Sequence, residues 1–264
     1  MKSRQPPSPT LSVVLDEALS RRQSGFLPDG SYLFQDQLIL DGSLTARVIT
    51  CTAWLFELYQ LTRGAVSFVS GPVIVRPATR VFAVVYPPFS ITKLSFKSAR
   101  GKLIGLARND GLPSQFPRVP LLFDTEFTDV PSGVEQVVKI LIESTNRQDV
   151  SAFPNPSLLS LKAKRLIDEN YSDYPSIARI ARRLGVSPEH LSRQFKSDFE
   201  ISPSSYLHQL RLADAPLRLA KGEDIINVSE DVGYNDLSRF YKQFRKSTST
   251  SPGACRNLLK PRKV

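Results

Sequence analysis

The sequence predicts an α+β fold, with a β-rich N-terminal half followed by an all-helical C-terminal half. Three observations lead to it. From Gly25 to about Asn109, short apolar or alternating runs rich in β-branched and aromatic residues are separated by turn signals. Beyond residue 157, apolar residues recur at helical spacing and no strand pattern intrudes. Within that helical half, one arrangement of residues occurs twice, around Gly185 and Gly233.

Residues 1–24 hold Pro6, Pro7 and Pro9 and a short amphipathic piece from Leu11 to Leu19, and are expected to form a flexible arm. Residues 25–110 contain the runs that predict strands. Ser31–Leu40 is closed by Asp41-Gly42, Leu44–Leu61 by Arg63-Gly64, and Ala65–Val69 by Ser70-Gly71-Pro72; Val73–Val75, Val81–Tyr86, Ile91–Phe96 and Lys102–Ala107 follow. Such spacing reads as an antiparallel sandwich or barrel. Residues 111–148 are a connection marked by Pro113, Pro117, Pro120 and Pro131, ending in an amphipathic helix at about 132–146. Its apolar stripe is Val134, Val137, Val138, Leu141 and Ile142; packing on the β-domain and dimerisation are equally open. Residues 149–157, with Pro154 and Pro156, read as a linker. Over 158–257 the expected helices are Leu158–Asn170, Ile177–Leu184 with Ser176 as N-cap, Pro188–Phe199 opened by its proline, Ser204–Ala220, Asp224–Val232 and Asp236–Lys246.

Composition narrows the class. The apolar fraction of 41% suffices for a proper core, and no apolar run approaches the roughly 20 residues of a membrane span. Met1–Thr10 has three prolines and no apolar stretch, so no secretory leader is expected. Two cysteines, Cys51 and Cys255, make no disulfide framework, and a cytoplasmic protein is the plain expectation. Residues 1–156 carry 16 basic against 13 acidic side chains, a net of +3, whereas residues 157–264 carry 19 against 12, a net of +7. That bias suits a polyanionic partner for the C-terminal half, although a merely basic surface would show the same balance.

The repeated arrangement decides between them. In Ser176–Lys196, Ala181 is small where two short helices must cross, and Gly185 frees the backbone for the turn. With Ile177, Ile180 and Leu184 facing Leu191 and Phe195, the second helix must turn Glu189, Ser192, Arg193 and Lys196 outward. That short, polar, basic stripe is what major-groove readout requires. Taken alone it could be a solvated helical hairpin. The pattern recurs, however, with Ile225, Val228 and Val232 on one helix, Ser229 four residues before Gly233, and Phe240 and Phe244 inward on the next. Outward there lie Ser238, Tyr241, Lys242 and Arg245, with Leu237 near the helix start. Two such helices on one long connecting helix could enter successive major-groove faces, about 34 Å apart.

At these residues the sequence resembles the AraC/XylS family of bacterial transcription regulators, over roughly 158–257. Arg211-Leu-Ala-Asp-Ala215 is similar to the start of the family's linker helix, Asp231-Val-Gly-Tyr-Asn-Asp236 with Phe240 and Phe244 to its second motif, and Ser251-Pro252 with Arg256 to its closing turn. The resemblance implies an all-α double helix-turn-helix domain that recognises promoter DNA and usually activates transcription through RNA polymerase. It also implies a cupin-like β-barrel in the N-terminal half that binds a small effector or a partner protein and often forms a homodimer. The chain departs from the family at Glu200 and Ser249, where glycine is usual. A left-handed turn there costs about 1 kcal/mol without glycine. Pro216 falls inside the linker helix, which is expected to break near 212–216 or to restart at the proline.

Catalysis and cofactors find no support. His190 and His208 are the only histidines and both lie in the C-terminal half, so the β-domain lacks the imidazoles of a metal-dependent cupin enzyme; no metal or other cofactor is expected. No Gly-rich phosphate loop is present. Cys51, expected in a strand beside Trp54 and Phe56, reads as a small core residue before it reads as a redox sensor; Cys255 reads as an inert thiol. Arg47, Arg76, Arg80 and Trp54 could line an effector pocket or simply face solvent, so the effector-binding residues stay unknown. The alternative class is a regulator-like protein that acts mainly through protein–protein binding with weak DNA affinity.

Overall fold

Two long strands form the spine of the N-terminal half, β4 (Trp54–Ser70) and β7 (Ile91–Arg108), paired antiparallel from Trp54↔Arg108 to Phe68↔Leu94. The computed structural model describes residues 23–26, 31–70, 72–108, 119–125, 127, 131–144, 146–153, 155–173, 176–248 and 251–259. The expected N-terminal arm lies outside these residues, apart from Gln23 and Ser24. Around the spine, β1 (Gln23–Phe26) pairs with β2 (Tyr32–Ile39), and both β2 and β3 (Ser43–Ile49) pair with β7. On the other side, β5 (Val73–Val75) and β6 (Val81–Tyr86) pair with β4, and β8 (Leu121–Asp124) and β9 (Arg147–Asp149) extend the sheet from β6.

The expected turns at Arg63-Gly64 and between Phe96 and Lys102 are bends within the two long strands. The register slips between Leu61 and Arg63 and again before Ala65, and such bulges bend a strand without ending it. Gly64 has φ +77° and lies against the Ser98 carbonyl, where any Cβ would collide. A true turn falls instead at 50–53, so Cys51 sits between strands and not within one.

Both faces of the sheet are buried, because the bend curls it over. Ala46 and Val48 of β3 share one core with Tyr59, Phe82, Val84, Tyr86, Phe96 and Leu103, although β3 and β6 are not hydrogen-bonded to each other. On the opposite face Phe56, Leu58, Val85, Ile104 and Leu106 meet α1 (Val134–Glu143) through Val134, Val137, Val138 and Leu141. The amphipathic helix therefore packs on the sheet, and Ile142 alone of its predicted stripe is left exposed. The expectation of a closed cupin-like barrel needs correction. Among the described residues the strand order runs open from β1 to β9, with no pairing that joins the ends. The curl provides an enclosed core without closure.

The C-terminal half is helical throughout its described residues: α2 (Leu158–Glu169), α3 (Ile177–Arg183), α4 (Pro188–Phe199), α5 (Pro203–Ala220), α6 (Ile225–Asp231), α7 (Leu237–Thr248) and α8 (Pro252–Leu259). Ser157, Ser187, Ser202 and Asp224 accept hydrogen bonds from first-turn amides, and prolines open α4 and α5, so the starts are fixed by local chemistry. Ser176 stands at the N-cap of α3 without such a bond. Pro216 neither breaks nor restarts α5, which is continuous across it. Leu212, Ala215, Leu219 and Ala220 around the proline are all buried in one core, and that packing holds the helix through the lost hydrogen bond.

Candidate nucleic-acid interface

The first motif is α3 and α4 joined at Gly185. Ile180, Ala181, Leu191, Phe195 and Phe199 are buried together, with Ile177 and Leu184 packed against them. Ala181 is fully enclosed, Val186 N–H donates back to its carbonyl at 3.1 Å, and Gly185 takes φ +71°, a left-handed turn open to glycine. On the outer side of α4, Glu189, Arg193 and Lys196 are exposed and Ser192 is half-buried. The helix ends at Glu200, which takes φ 55° and ψ 16° although it is not glycine.

The second motif repeats this design. Val228, Ser229, Val232, Phe240 and Phe244 are buried, Gly233 takes φ +90°, and Tyr234 N–H donates to the Ser229 carbonyl at 2.8 Å. Asp236 Oδ1 accepts from the Ser238 and Arg239 amides and so starts α7. Leu237, Ser238, Tyr241, Lys242 and Arg245 all lie exposed. Ser249 falls outside the described residues.

Between the motifs runs α5, whose buried side chains serve both. Tyr206, Leu207 and Leu210 enter the first core, and Leu212, Ala215 and Leu219 the second. Arg211 is 1% exposed, donates from Nε to the Tyr171 carbonyl at 2.7 Å, and places its guanidinium carbon 5.7 Å from the Tyr234 ring centroid.

The state of the cations separates structural from available charge. Lys164 is tied to Asp168 at 2.7 Å, and Arg218 to Glu223 at 2.7 Å and to Asp231. Arg193, Lys196, Lys242 and Arg245 make no ion pair among the described residues, so their charge is free to meet phosphate or base edges. Sequence reasoning omitted other exposed cations, Arg179, Arg182 and Arg183 on α3 and Lys246 on α7. Their positions between inward apolar residues gave the signal, since every non-core arginine on so short a helix must face out. His190 is exposed, and His208 lies against Tyr234, where burial and the neighbouring Arg239 and Arg211 lower its pKa. No group of three or more potential metal ligands occurs among the described residues.

The N-terminal sheet docks on this helical domain through its 50–53 and 87–90 turns. Ile49, Cys51, Phe89 and Ile91 pack into the core of the first motif, and Tyr32 and Ala107 into that of the second. The 149–157 segment expected as a linker is itself packed, with Val150 in the sheet core and Phe153 edge-on to Phe199 at 5.7 Å. Among the effector candidates, Arg80 donates to the Thr62 carbonyl and Arg47 reaches the Glu200 carbonyl at 3.5 Å, its pKa lowered by burial. Cys51 is buried and its thiol pKa is raised by burial and by Asp214, so it is inert at neutral pH.

Comparison with known proteins agrees with this geometry. Residues 180–258 match a family model described as a helix-turn-helix domain. The HTH-type transcriptional activator RhaS of Pectobacterium carotovorum is 33% identical over 92 residues, 34% of this chain and 33% of its own. The raffinose operon transcriptional regulatory protein RafR of Pediococcus pentosaceus is 33% identical over 94 residues, 35% of this chain and 34% of its own. These matches thus span about a third of the relatives' length. Over most of the chain, the crystal structure of an apo lysine-to-alanine variant of ToxT from Vibrio cholerae shares the fold, covering 89% of this chain and 100% of its own at a TM-score of 0.50 and 14% identity. Fold and matches define a helix-turn-helix protein. Over residues 180–258 the chain carries a helix-turn-helix domain of AraC/XylS type, similar to those of the transcription regulators RhaS and RafR.

Proposed function

We propose that the protein is a sequence-specific DNA-binding transcription regulator that reads promoter DNA with two helix-turn-helix motifs and is modulated through its N-terminal domain. The observation that carries the reading is the pair of exposed basic helix faces, α4 and α7, mounted on one buried connecting helix. Glu189, Ser192, Arg193 and Lys196 on α4, and Leu237, Ser238, Tyr241, Lys242 and Arg245 on α7, are the proposed DNA contacts. Arginine forks suit guanine O6 and N7, while lysines serve equally at phosphate. The activator relatives favour promoter activation through RNA polymerase, and the enclosed sheet core and docked interface favour modulation by a bound effector. None of the site chemistry calls for an enzyme.

Promoter footprinting with the full chain tests the reading. Two protected major-groove segments on one face of the duplex, about one helical turn apart, are expected. Protection of a single segment would reduce the reader to one motif, and no protection at any site would return the protein to the alternative of protein–protein binding.

A further inference from the structure

The contact between the sheet and the helical domain reaches further than its apolar packing. The turn at 50–53 is braced from within the N-terminal domain: Thr50 Oγ1 donates to the Pro87 carbonyl at 2.5 Å and pairs with Ser90 Oγ at 3.0 Å, and Phe89 N–H donates to the Cys51 carbonyl at 2.9 Å. From this fixed base, Thr52 Oγ1 donates to Asp214 Oδ1 of α5 at 3.0 Å. Asp214 is 8% exposed, and its other oxygen accepts from the Tyr171 hydroxyl at 3.3 Å. Tyr171 in turn offers its carbonyl to Arg211 Nε. Beyond Arg211 lies the turn of the second motif, so close that a Cβ on Gly233 would stand 2.6 Å from the arginine Nη2 and from the Ser172 carbonyl. The chain of contacts then passes from Tyr234 to Phe240 of α7, whose rings meet at 5.4 Å.

We infer that Thr52, Asp214, Tyr171 and Arg211 form a joint through which the N-terminal domain sets the placement of the second motif relative to the first. The geometry is directional. Lys93 and Arg47 hold the end of α4 at Glu200, so one set of contacts anchors the first motif to the sheet. The Thr52–Asp214 bond instead meets the helix between the motifs, one turn from the residue that touches the second turn. Among the described residues Asp214 accepts from two hydroxyls, those of Thr52 and Tyr171, and a buried carboxylate that loses one of two donors must recruit another or move. Movement of Asp214 carries Tyr171 with it, and Tyr171 holds Arg211. A change in the sheet end around residues 50–53 and 87–90 is thereby converted into a change at Gly233 and Tyr234. These four are positioning residues; none is proposed to touch DNA. The consequence for reading rests on the two-motif function above, but the joint itself does not.

Hydrogen exchange on the full chain without DNA tests the joint directly. Thr52→Val keeps the shape and removes the donor; Thr52→Ser restores a hydroxyl; Lys93→Ala loosens only the anchor on the first motif. Thr52→Val is expected to speed exchange on the order of tenfold at the Val232, Gly233 and Tyr234 amides, the effect of one lost bond to a charged group. The Leu184–Val186 amides should not respond, Thr52→Ser should match the native chain, and Lys93→Ala should leave the second turn unchanged. An unchanged second turn in Thr52→Val, or equal acceleration in both motifs, would overturn the inference. Selection of sites from random DNA is run alongside, and Thr52→Val should broaden the preferred spacing between half-sites while affinity for a single half-site stays within about twofold. Unaltered spacing despite altered exchange would overturn the joint as a determinant of reading. Exchange that responds as expected in a protein that binds no DNA would remove the proposed function and leave the joint standing.

Discussion

Glu57 is the one acidic side chain wholly inside the sheet core among the described residues, and its replacement by glutamine has a calculable, pH-dependent effect. It is 0% exposed; Oε2 accepts from the Tyr59 hydroxyl at 2.7 Å and the Tyr86 hydroxyl at 3.0 Å, while Oε1 has no partner. Burial pushes its pKa up to about 7 from an ordinary value of 4.5, the two tyrosine hydroxyls opposing the rise. The folded state therefore holds a proton that the unfolded chain releases near 4.5. Full stability is present below that value and is lost as pH rises to about 7. Each such pH unit is worth about 1.4 kcal/mol, so the native chain should lose about 3 kcal/mol between pH 4.5 and 7 through this group alone. Glutamine is neutral at every pH and keeps an acceptor for the tyrosines, at the cost of about 1 kcal/mol for its unpaired amide. Glu57→Gln should thus be slightly less stable than the native chain at pH 5 and about 2 kcal/mol more stable at pH 8. Urea denaturation of both proteins across pH 5–8 reads this difference, with shared background titrations cancelling. Parallel pH profiles would refute the argument, because they would mean that Glu57 ionises as freely in the fold as outside it.

The proposed function carries its own expectations. DNA affinity of the full chain should fall roughly a thousandfold or more from 50 to 200 mM salt if several phosphates are neutralised, as titration by fluorescence anisotropy would show; salt-indifferent binding would count against phosphate contact. Arg193→Ala should cost about 1–3 kcal/mol on the cognate site and relax preference at one or two bases, with Lys242→Ala tested beside it, whereas a uniform loss over all sequences would place the side chain on phosphate. Since α5 is already continuous, Pro216→Ala should restore a helix hydrogen bond and raise stability by up to about 3 kcal/mol, seen as a higher melting temperature. An unchanged melting temperature would mean that the packing around Leu212 and Leu219 already offsets the proline.

What the sequence disclosed was local. Ser187-Pro188, Ser202-Pro203 and Asp224 mark helix starts because their chemistry acts on amides two or three residues away. The glycines at 185 and 233 were legible because a left-handed turn between two short apolar periods needs them. For the same reason every proposed contact residue could be placed on an outer face. What stayed hidden depended on partners far along the chain. Arg63-Gly64 has the composition of a turn, yet β7 runs past it and converts the turn into a bulged bend. The cupin-like barrel is what the family resemblance implies, with strand count and turn spacing as its support in the chain, and neither says whether the last strand finds the first. Thr52 and Asp214 are 162 residues apart in sequence, each unremarkable in its own segment. Pro216 misled in the opposite sense, since a strong local rule was overridden by packing on both sides of it.

Glu200 shows how these two kinds of information combine. Its φ of 55° confirms that α4 needs a left-handed residue at its end, as the family's glycine implies. Without glycine that conformation costs about 1 kcal/mol. The compensation comes from the other domain. Lys93 Nζ meets the Glu200 carboxylate at 2.7 Å, and Arg47 Nη2 reaches its carbonyl. An ion pair with Lys93 24% and Glu200 52% exposed contributes at most about 1 kcal/mol, enough to offset the strain and little more. Glycine at this position would relieve the strain but carry no carboxylate, leaving the Arg47 contact with the backbone carbonyl as the sheet's remaining hold on the end of α4. The departure from the family pattern is therefore better understood as an exchange than as a defect. Some intrinsic stability of α4 is given up, and in return the helix end is tied to the domain proposed to control it.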